Sequence, residues 1–128
     1  MNIKKARAGE IILRDGENGS EMYVVHSGSV LVYKTINSEK IELSVIGKGG
    51  FFGEMSLLLD PERHASVEAV TDSELLVLDK EGLLANIQAD PAFAVVMMKS
   101  LAVRLTEAHR VIGKLQGEKT SLKMMYGK

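Results

Sequence analysis

The chain has 128 residues and a mass of 14.0 kDa, with 45% hydrophobic and 26% charged residues, which is typical of one soluble globular domain and excludes most large enzyme folds. It has no cysteine for disulfides or thiolate metal sites and no apolar run that could span a membrane or serve as a signal peptide, so we expect a cytoplasmic protein. The net charge of −1 argues against direct nucleic-acid binding. The charge is unevenly distributed: residues 1–98 contain 9 basic and 15 acidic residues, whereas residues 99–128 contain 7 basic and 2 acidic residues. The basic C-terminal part is interpreted as a solvated helix face.

Six short runs of β-branched and aliphatic residues occupy residues 8–79 and predict strands. They are Glu10–Leu13, Met22–Val25, Ser29–Lys34, Ile41–Ile46, Ala65–Val70 and Glu74–Leu78. The breaks between them are rich in glycine, asparagine and aspartate, which supply the turns that antiparallel neighbours need. This part of the chain is therefore expected to form a small sandwich or barrel.

In the last third of the chain, apolar residues recur at helical spacing and glycine-rich turns become rare. Residues 80–90 predict a short helix, and Asp90-Pro91 is a typical start signal for a long helix over residues 92–115. Residues 118–128 carry no strong pattern and predict a frayed tail. We expect a single domain, 1–128, that is mainly β with C-terminal helices.

The long helix carries an apolar seam at alternating steps of three and four residues. It consists of Met98, Leu101, Leu105, Ala108, Ile112 and Leu115. This spacing is typical of a two-stranded coiled coil, although the same face could lie on the chain's own sheet. Further apolar residues such as Val96 and Val103 offer surface for a second partner. Since twofold dimers dominate soluble oligomers, we expect a homodimer through the 92–115 helix.

Residues 49–67, GGFFGEMSLLLDPERHASV, are too rich in glycine for a plain strand and too apolar for a plain loop. A turn that opens into a short helix at Gly53 leaves N–H groups unpaired at the helix start, where the helix dipole favours an anion. Arg63 follows and can bind two phosphate oxygens through its planar guanidinium. From these residues alone, a surface arginine or an ion pair with Asp60 or Glu62 is the favoured interpretation.

The run FFGEMSLL, followed by Arg63-His64-Ala65 and Val67-Glu68-Ala69, resembles the phosphate-binding cassette of cyclic nucleotide-binding domains of the catabolite activator and protein kinase A regulatory type. Upstream, the similarity includes Gly16, Met22–Val25 and Gly28–Val30. It covers about residues 8–115, and glycine, glutamate and arginine at this spacing form a specific motif. The resemblance implies an antiparallel β-roll, also called a jelly roll or double-stranded β-helix, followed by a dimerisation helix.

The resemblance also implies a function, that of a regulatory sensor for cyclic AMP or cyclic GMP that is not an enzyme and holds no metal. Gly53 and the N–H groups of Glu54, Met55 and Ser56 would cradle the phosphate, and Arg63 would supply the counter-charge. In the family this glutamate accepts a hydrogen bond from the ribose 2′-hydroxyl, because a carboxylate is only an acceptor. Ligand binding would move the C-terminal helix and signal to an unidentified partner protein.

The remaining candidate site residues follow or face the cassette. His64 and Ala65 come directly after the arginine, and His64 can donate to the phosphate, swing outwards or obstruct it. On the long helix, the candidate base contacts are Arg104, Thr106 and His109. For each of these three, a solvated helix face is the favoured interpretation. Leu43 and Val45 are candidates for the pocket wall, but the core interpretation is favoured for both.

Two other functions stay open. The chain could be the effector-domain fragment of a Crp/Fnr-type DNA-binding transcription regulator. The residues after the long helix are too few for a helix-turn-helix motif. The sequence therefore fits both a stand-alone sensor and such a fragment. A cupin-like metalloenzyme is less favoured. Its metal would need convergent ligands, whereas His26, His64 and His109 are isolated in the sequence.

Overall fold

A computed structural model describes the backbone of residues 2–125 and the side chains of residues 2–117. The chain groups into two compact units, Met1–Ala85 and Asn86–Lys128. All strands of the described residues lie in the first unit, and the long C-terminal helix lies in the second. The organisation as a single domain stays a prediction.

The chain forms two antiparallel sheets and three helices over its described residues. In order, the elements are β1 (Asn2–Ala6), β2 (Ile11–Leu13), β3 (Met22–Ser27), β4 (Val30–Ile36), β5 (Glu39–Ile46), β6 (Phe51–Phe52), α1 (Glu54–Leu58), β7 (Ser66–Ala69), β8 (Ser73–Leu78), α2 (Lys80–Ala89) and α3 (Pro91–Met125). One four-stranded sheet has the order β1-β8-β3-β6 and the other β2-β7-β4-β5. The predicted antiparallel β-roll with a long C-terminal helix is confirmed.

Large side chains from both sheets form the core of the β-roll. Its buried members are Tyr23, Val25, Val30, Phe52, Val67 and Leu75. Because alternate residues of a strand face the same side, Tyr23 and Val25 of β3 both reach this core. The Tyr23 ring stacks on Phe52 with their centroids 5.0 Å apart. This contact anchors the two-residue strand β6 directly before the glycine turn that follows it.

Strand β5 is an edge strand that is exposed along almost its whole length. Leu43 and Val45 are 54% and 63% exposed, so the favoured core interpretation of both is wrong. Pairing with β4 passes from Val32 opposite Ser44 to Tyr33 opposite Glu42. Leu43 is therefore the extra residue of a β-bulge, which disturbs the alternation that would direct its side chain inwards.

Helix α3 continues through Met125, so the predicted end near residue 115 is wrong. A frayed tail over residues 118–128 stays a prediction. Residues 126–128 of that predicted tail lie outside the described residues. Gly113 and Gly117 each disfavour a helix by about 1 kcal/mol relative to alanine. The lysine, leucine and glutamine between them are good helix formers, and the helix passes both glycines. In the part of the chain described, no helix is long and apolar enough to cross a membrane.

Candidate functional site

A left-handed glycine begins the candidate site. Gly53 follows β6, has φ 82° and ψ 2°, and is the N-cap of α1. Residues other than glycine rarely adopt this conformation. A Cβ atom on Gly53 would also lie 3.0 Å from Arg63 Nη1 and 3.1 Å from the Glu21 carbonyl oxygen. The backbone angle and the close approach of neighbouring atoms both favour glycine here.

The side chain of Arg63 is buried against this turn. Only 5% of the residue is exposed. Its Nη1 donates a hydrogen bond to the Gly53 carbonyl oxygen at 3.1 Å, and its Nη2 donates to the Glu21 carbonyl oxygen at 2.9 Å. A guanidinium has more N–H donors than these two bonds use. Arg63 can therefore keep both bonds and still donate to an anion beside Gly53.

The carboxylates nearest to Arg63 in sequence have other partners. Asp60 Oδ1 accepts a hydrogen bond from the Glu62 backbone N–H at 3.1 Å, and Glu62 Oε2 lies 3.6 Å from His64 Nδ1. With Arg63 buried, the surface position favoured from the residues alone is wrong. The hydrogen bonds to the Gly53 and Glu21 carbonyl groups replace the expected local ion pair.

Burial lowers the pKa of the Arg63 guanidinium below its ordinary value, and the nearby Tyr23, Glu21 and Glu54 act in the opposite direction. Arginine starts from so high a pKa that it stays protonated at neutral pH despite this change. Burial also raises the pKa of the Tyr23 hydroxyl, an effect that Glu21 increases and Arg63 opposes. The site thus contains a permanent positive charge in surroundings that screen it less than bulk water does.

The structure brings some of the sequence-predicted residues together and leaves others at the surface. Glu54 is 5% exposed and lies close enough to influence the Arg63 pKa. Ser56 is buried and its Oγ donates to the Glu62 carbonyl oxygen at 3.4 Å. By contrast, the side chains of Met55 and His64 are exposed, and Ala65 is half-buried.

The candidate base contacts on the long helix lie in the second compact unit. Arg104, Thr106 and His109 are all exposed on α3, and Thr106 Oγ1 donates to the Ala102 carbonyl oxygen one turn earlier at 2.9 Å. A role for them in ligand binding stays a prediction. Among the described residues, no three His, Cys, Asp or Glu side chains cluster as a metal-ligand set would.

Sequence reasoning missed the loop that holds Arg63, residues 14–21 between β2 and β3. Glu21 contributes its carbonyl oxygen to Nη2, and the Glu17 carbonyl oxygen accepts from the Arg63 backbone N–H at 2.8 Å. The sequence predicts turns at the glycines of this loop, and the family resemblance includes Gly16, but neither indicates a contact with Arg63. Because any residue type offers a backbone carbonyl, the residue types themselves carry no signal for these contacts.

Comparison with known proteins identifies the family. A family model described as the cyclic nucleotide-binding domain matches residues 3–90. The cyclic AMP receptor protein of Thermus thermophilus is 39% identical over 119 residues, which cover 92% of this chain and 55% of the receptor. In structure, the catabolite activator protein of Thermus thermophilus matches with a TM-score of 0.79 and 38% identity, over 90% of this chain and 55% of that one.

A ligand-bound structure is also similar. The regulatory domain of Toxoplasma gondii protein kinase A, co-crystallised with cyclic AMP, has a TM-score of 0.61 and 33% identity, over 66% of this chain and 32% of that one. The chain thus spans about half the length, or less, of these relatives. The family model nevertheless covers all of the β-roll except Asn2, the first residue of β1, together with α2. The chain belongs to the cyclic nucleotide-binding domain family.

Proposed function

We propose that this chain is a regulatory sensor that binds cyclic AMP or cyclic GMP through the Gly53 turn and the neighbouring Arg63 guanidinium. The main support is the burial of Arg63 and its hydrogen bond to Gly53, which hold a permanent cation at the start of α1. A cyclic nucleotide carries one phosphate charge. One arginine and several backbone N–H groups can neutralise and bind that charge in a mostly apolar pocket without leaving a buried charge unpaired.

Each candidate residue has a chemical role in this proposal. The N–H groups of Glu54, Met55 and Ser56 donate to the phosphate together with Arg63. Met55 acts only through its backbone, which agrees with the exposure of its side chain. The buried Glu54 carboxylate accepts a hydrogen bond from the ribose 2′-hydroxyl and selects ribose over deoxyribose.

His64 and Ala65 form the rim of the proposed phosphate site. Ala65 is half-buried directly after the segment that carries Arg63, whereas His64 is exposed and lies near Glu62. An imidazole that points outwards does not obstruct the phosphate. The exposure of His64 agrees best with an outward orientation of its side chain.

We further propose a regulatory rather than a catalytic role in the cytoplasm, with α3 as the element that responds. The names of two relatives, a cyclic AMP receptor protein and a regulatory domain of protein kinase A, support this role. A ligand shifts an equilibrium only if it binds one arrangement more tightly than the other. A hundredfold preference corresponds to about 2.7 kcal/mol, enough to shift a balanced equilibrium almost completely.

A thermal-shift screen tests the proposed ligand class. At a ligand concentration a hundredfold above Kd, binding adds about 2.7 kcal/mol, which for a domain of this size raises Tm by about 10 °C. We expect this shift with cyclic AMP, cyclic GMP or both. The linear 5′-monophosphates should give little or no shift, because they carry additional negative charge, and 2′-deoxy cyclic AMP should stabilise less than cyclic AMP because it lacks the hydroxyl that Glu54 binds.

No Tm shift with either cyclic nucleotide would contradict the proposal. An equal shift with the linear monophosphates would indicate a general phosphate site instead. Stabilisation by a divalent metal ion alone would favour the cupin-like metalloenzyme. Binding to duplex DNA with a steep dependence on salt would favour a DNA-binding regulator.

A dimer through α3 is the proposed assembly, and its test is a charge placed in the seam. Leu105 is 57% exposed within this chain and is a central seam residue. Leu105→Glu should yield monomers in sedimentation velocity, because paired helices would bury two carboxylates against each other. Val103→Glu is the matched control, since Val103 is 61% exposed but lies off the seam. A Leu105→Glu dimer would show that another surface associates.

A further inference from the structure

The loop of residues 14–21 pairs with the segment that carries Arg63, almost as an additional strand would. The Gly16 N–H donates to the Arg63 carbonyl oxygen, the Arg63 N–H donates to the Glu17 carbonyl oxygen, and the Gly19 N–H donates to the Pro61 carbonyl oxygen, each at 2.8 Å. The loop therefore fixes the backbone of Arg63 as well as its side chain, which reaches the Glu21 carbonyl oxygen.

Gly19 is the point at which this loop approaches the guanidinium most closely. A Cβ atom at Gly19 would lie 2.4 Å from Arg63 Nη2, 2.6 Å from Nε and 2.7 Å from Cζ. All three distances are far shorter than van der Waals contact. Gly19 does not have a positive φ, so the need for glycine here comes from the space that the guanidinium occupies and not from the backbone conformation.

The consequence of adding a methyl group differs between Gly19 and other crowded glycines. At Gly28 a Cβ atom would meet the Asp72 carbonyl oxygen at 2.5 Å and the Ser73 Cα at 2.8 Å, which are backbone atoms that cannot move without disturbing the sheet. At Gly19 the three nearest atoms all belong to the end of one long side chain. Alanine at position 19 is thus accommodated by moving Arg63.

We infer that Gly19 is a positioning residue for the anion site: its lack of a side chain allows the Arg63 guanidinium to lie against the loop and donate to Glu21 and Gly53. This inference rests on the proposed function. Gly19 itself touches no ligand. A methyl group there would push the guanidinium away from its two carbonyl partners and change the direction from which it approaches a phosphate.

The test compares Gly19→Ala with Gly47→Ala, a control at which a Cβ atom would meet nothing within 4 Å and which lacks a positive φ. The first readout is the Arg63 Nε–H signal in ¹H–¹⁵N spectra of the free protein. Gly19→Ala should shift this signal and lower Tm, because the Gly53 and Glu21 carbonyl groups lose the donor that the buried guanidinium supplies. The Gly47→Ala spectrum should retain the signal of the natural protein.

The second readout is the Kd for cyclic AMP and cyclic GMP, measured by calorimetry. Losing the alignment of one charge-assisted hydrogen bond should weaken binding by about 10- to 100-fold in Gly19→Ala. The same change should have almost no effect in an Arg63→Lys background, because an ammonium group does not have the planar fork that the methyl group displaces. A loop that was merely destabilised would lower affinity in both backgrounds.

The outcomes separate this inference from the proposed function. An unchanged Arg63 Nε–H signal, or an unchanged Kd in Gly19→Ala, overturns the positioning role even if the natural protein binds the nucleotide. If the natural protein binds no cyclic nucleotide, the proposed function fails, and the Nε–H signal still decides whether Gly19 sets the position of Arg63.

Discussion

Replacing Arg63 by alanine is expected to weaken cyclic nucleotide binding by about 2–5 kcal/mol, or roughly 30- to 5,000-fold in Kd. The change removes the only positive charge that the proposal assigns to the phosphate, together with its directional N–H donors. Titration calorimetry measures the affinity, and circular dichroism checks that the β-roll persists. Arg63→Lys should fall between the natural protein and Arg63→Ala, because it keeps the charge but loses the planar fork.

A nearby arginine provides the control for Arg63. Arg14 lies in the loop of residues 14–21 but is exposed, 3.9 Å from the Glu17 carboxylate. Exposed ion pairs contribute little, so Arg14→Ala should leave both affinity and stability almost unchanged. If Arg63→Ala bound as tightly as the natural protein, the phosphate could not lie where we propose. If Arg14→Ala weakened binding equally, general electrostatic attraction would explain the affinity.

Replacing Leu75 by alanine should have the largest effect on stability, a loss of about 2–5 kcal/mol. Leu75 is fully buried in β8, between β1 and β3, and it belongs to the core cluster that includes Phe52. The truncation removes apolar burial and leaves a cavity that a sheet with strands on both sides cannot easily close. Urea unfolding at equilibrium measures the loss.

The matched control for the core is Leu84→Ala on α2, where the leucine is 53% exposed. An exposed substitution of this kind should change stability by no more than about 0.5 kcal/mol. A loss below about 1 kcal/mol for Leu75→Ala would contradict the core assignment, since fully buried leucines cost more than this. Equal losses of unfolding free energy for Leu75→Ala and Leu84→Ala would also contradict the core assignment.

The strands of the β-roll could be predicted where apolar character and turn residues coincide, as in Met22–Ser27 and Ser73–Leu78. Strand β1 could not, because Asn2–Ala6 is mostly polar and only Ala6 is buried; its strand conformation comes from pairing with β8. Strand β6 has only two residues. Edge and very short strands depend on their neighbours more than on their own residue types.

The candidate site was predictable to a similar, partial extent. Gly53, Glu54 and Arg63 form a motif with a fixed spacing, so the resemblance to the family located them. Arg63 also interacts with the carbonyl oxygen of Glu21, 42 residues earlier in the chain. This interaction could not be predicted from the residue types. The role of Gly19 was equally hidden, because a glycine in a turn and a glycine beneath a guanidinium look alike until the two segments are seen together.

The most direct test of the binding account is a cyclic AMP titration followed through assigned ¹H–¹⁵N spectra of the natural protein. If the phosphate binds as proposed, the amide signals of residues 53–56 and the Arg63 Nε–H signal will show the largest shifts and saturate together. If cyclic AMP leaves these signals unchanged at saturation, or shifts mainly residues elsewhere on the β-roll, the Gly53 turn and Arg63 do not hold the phosphate and the account is wrong.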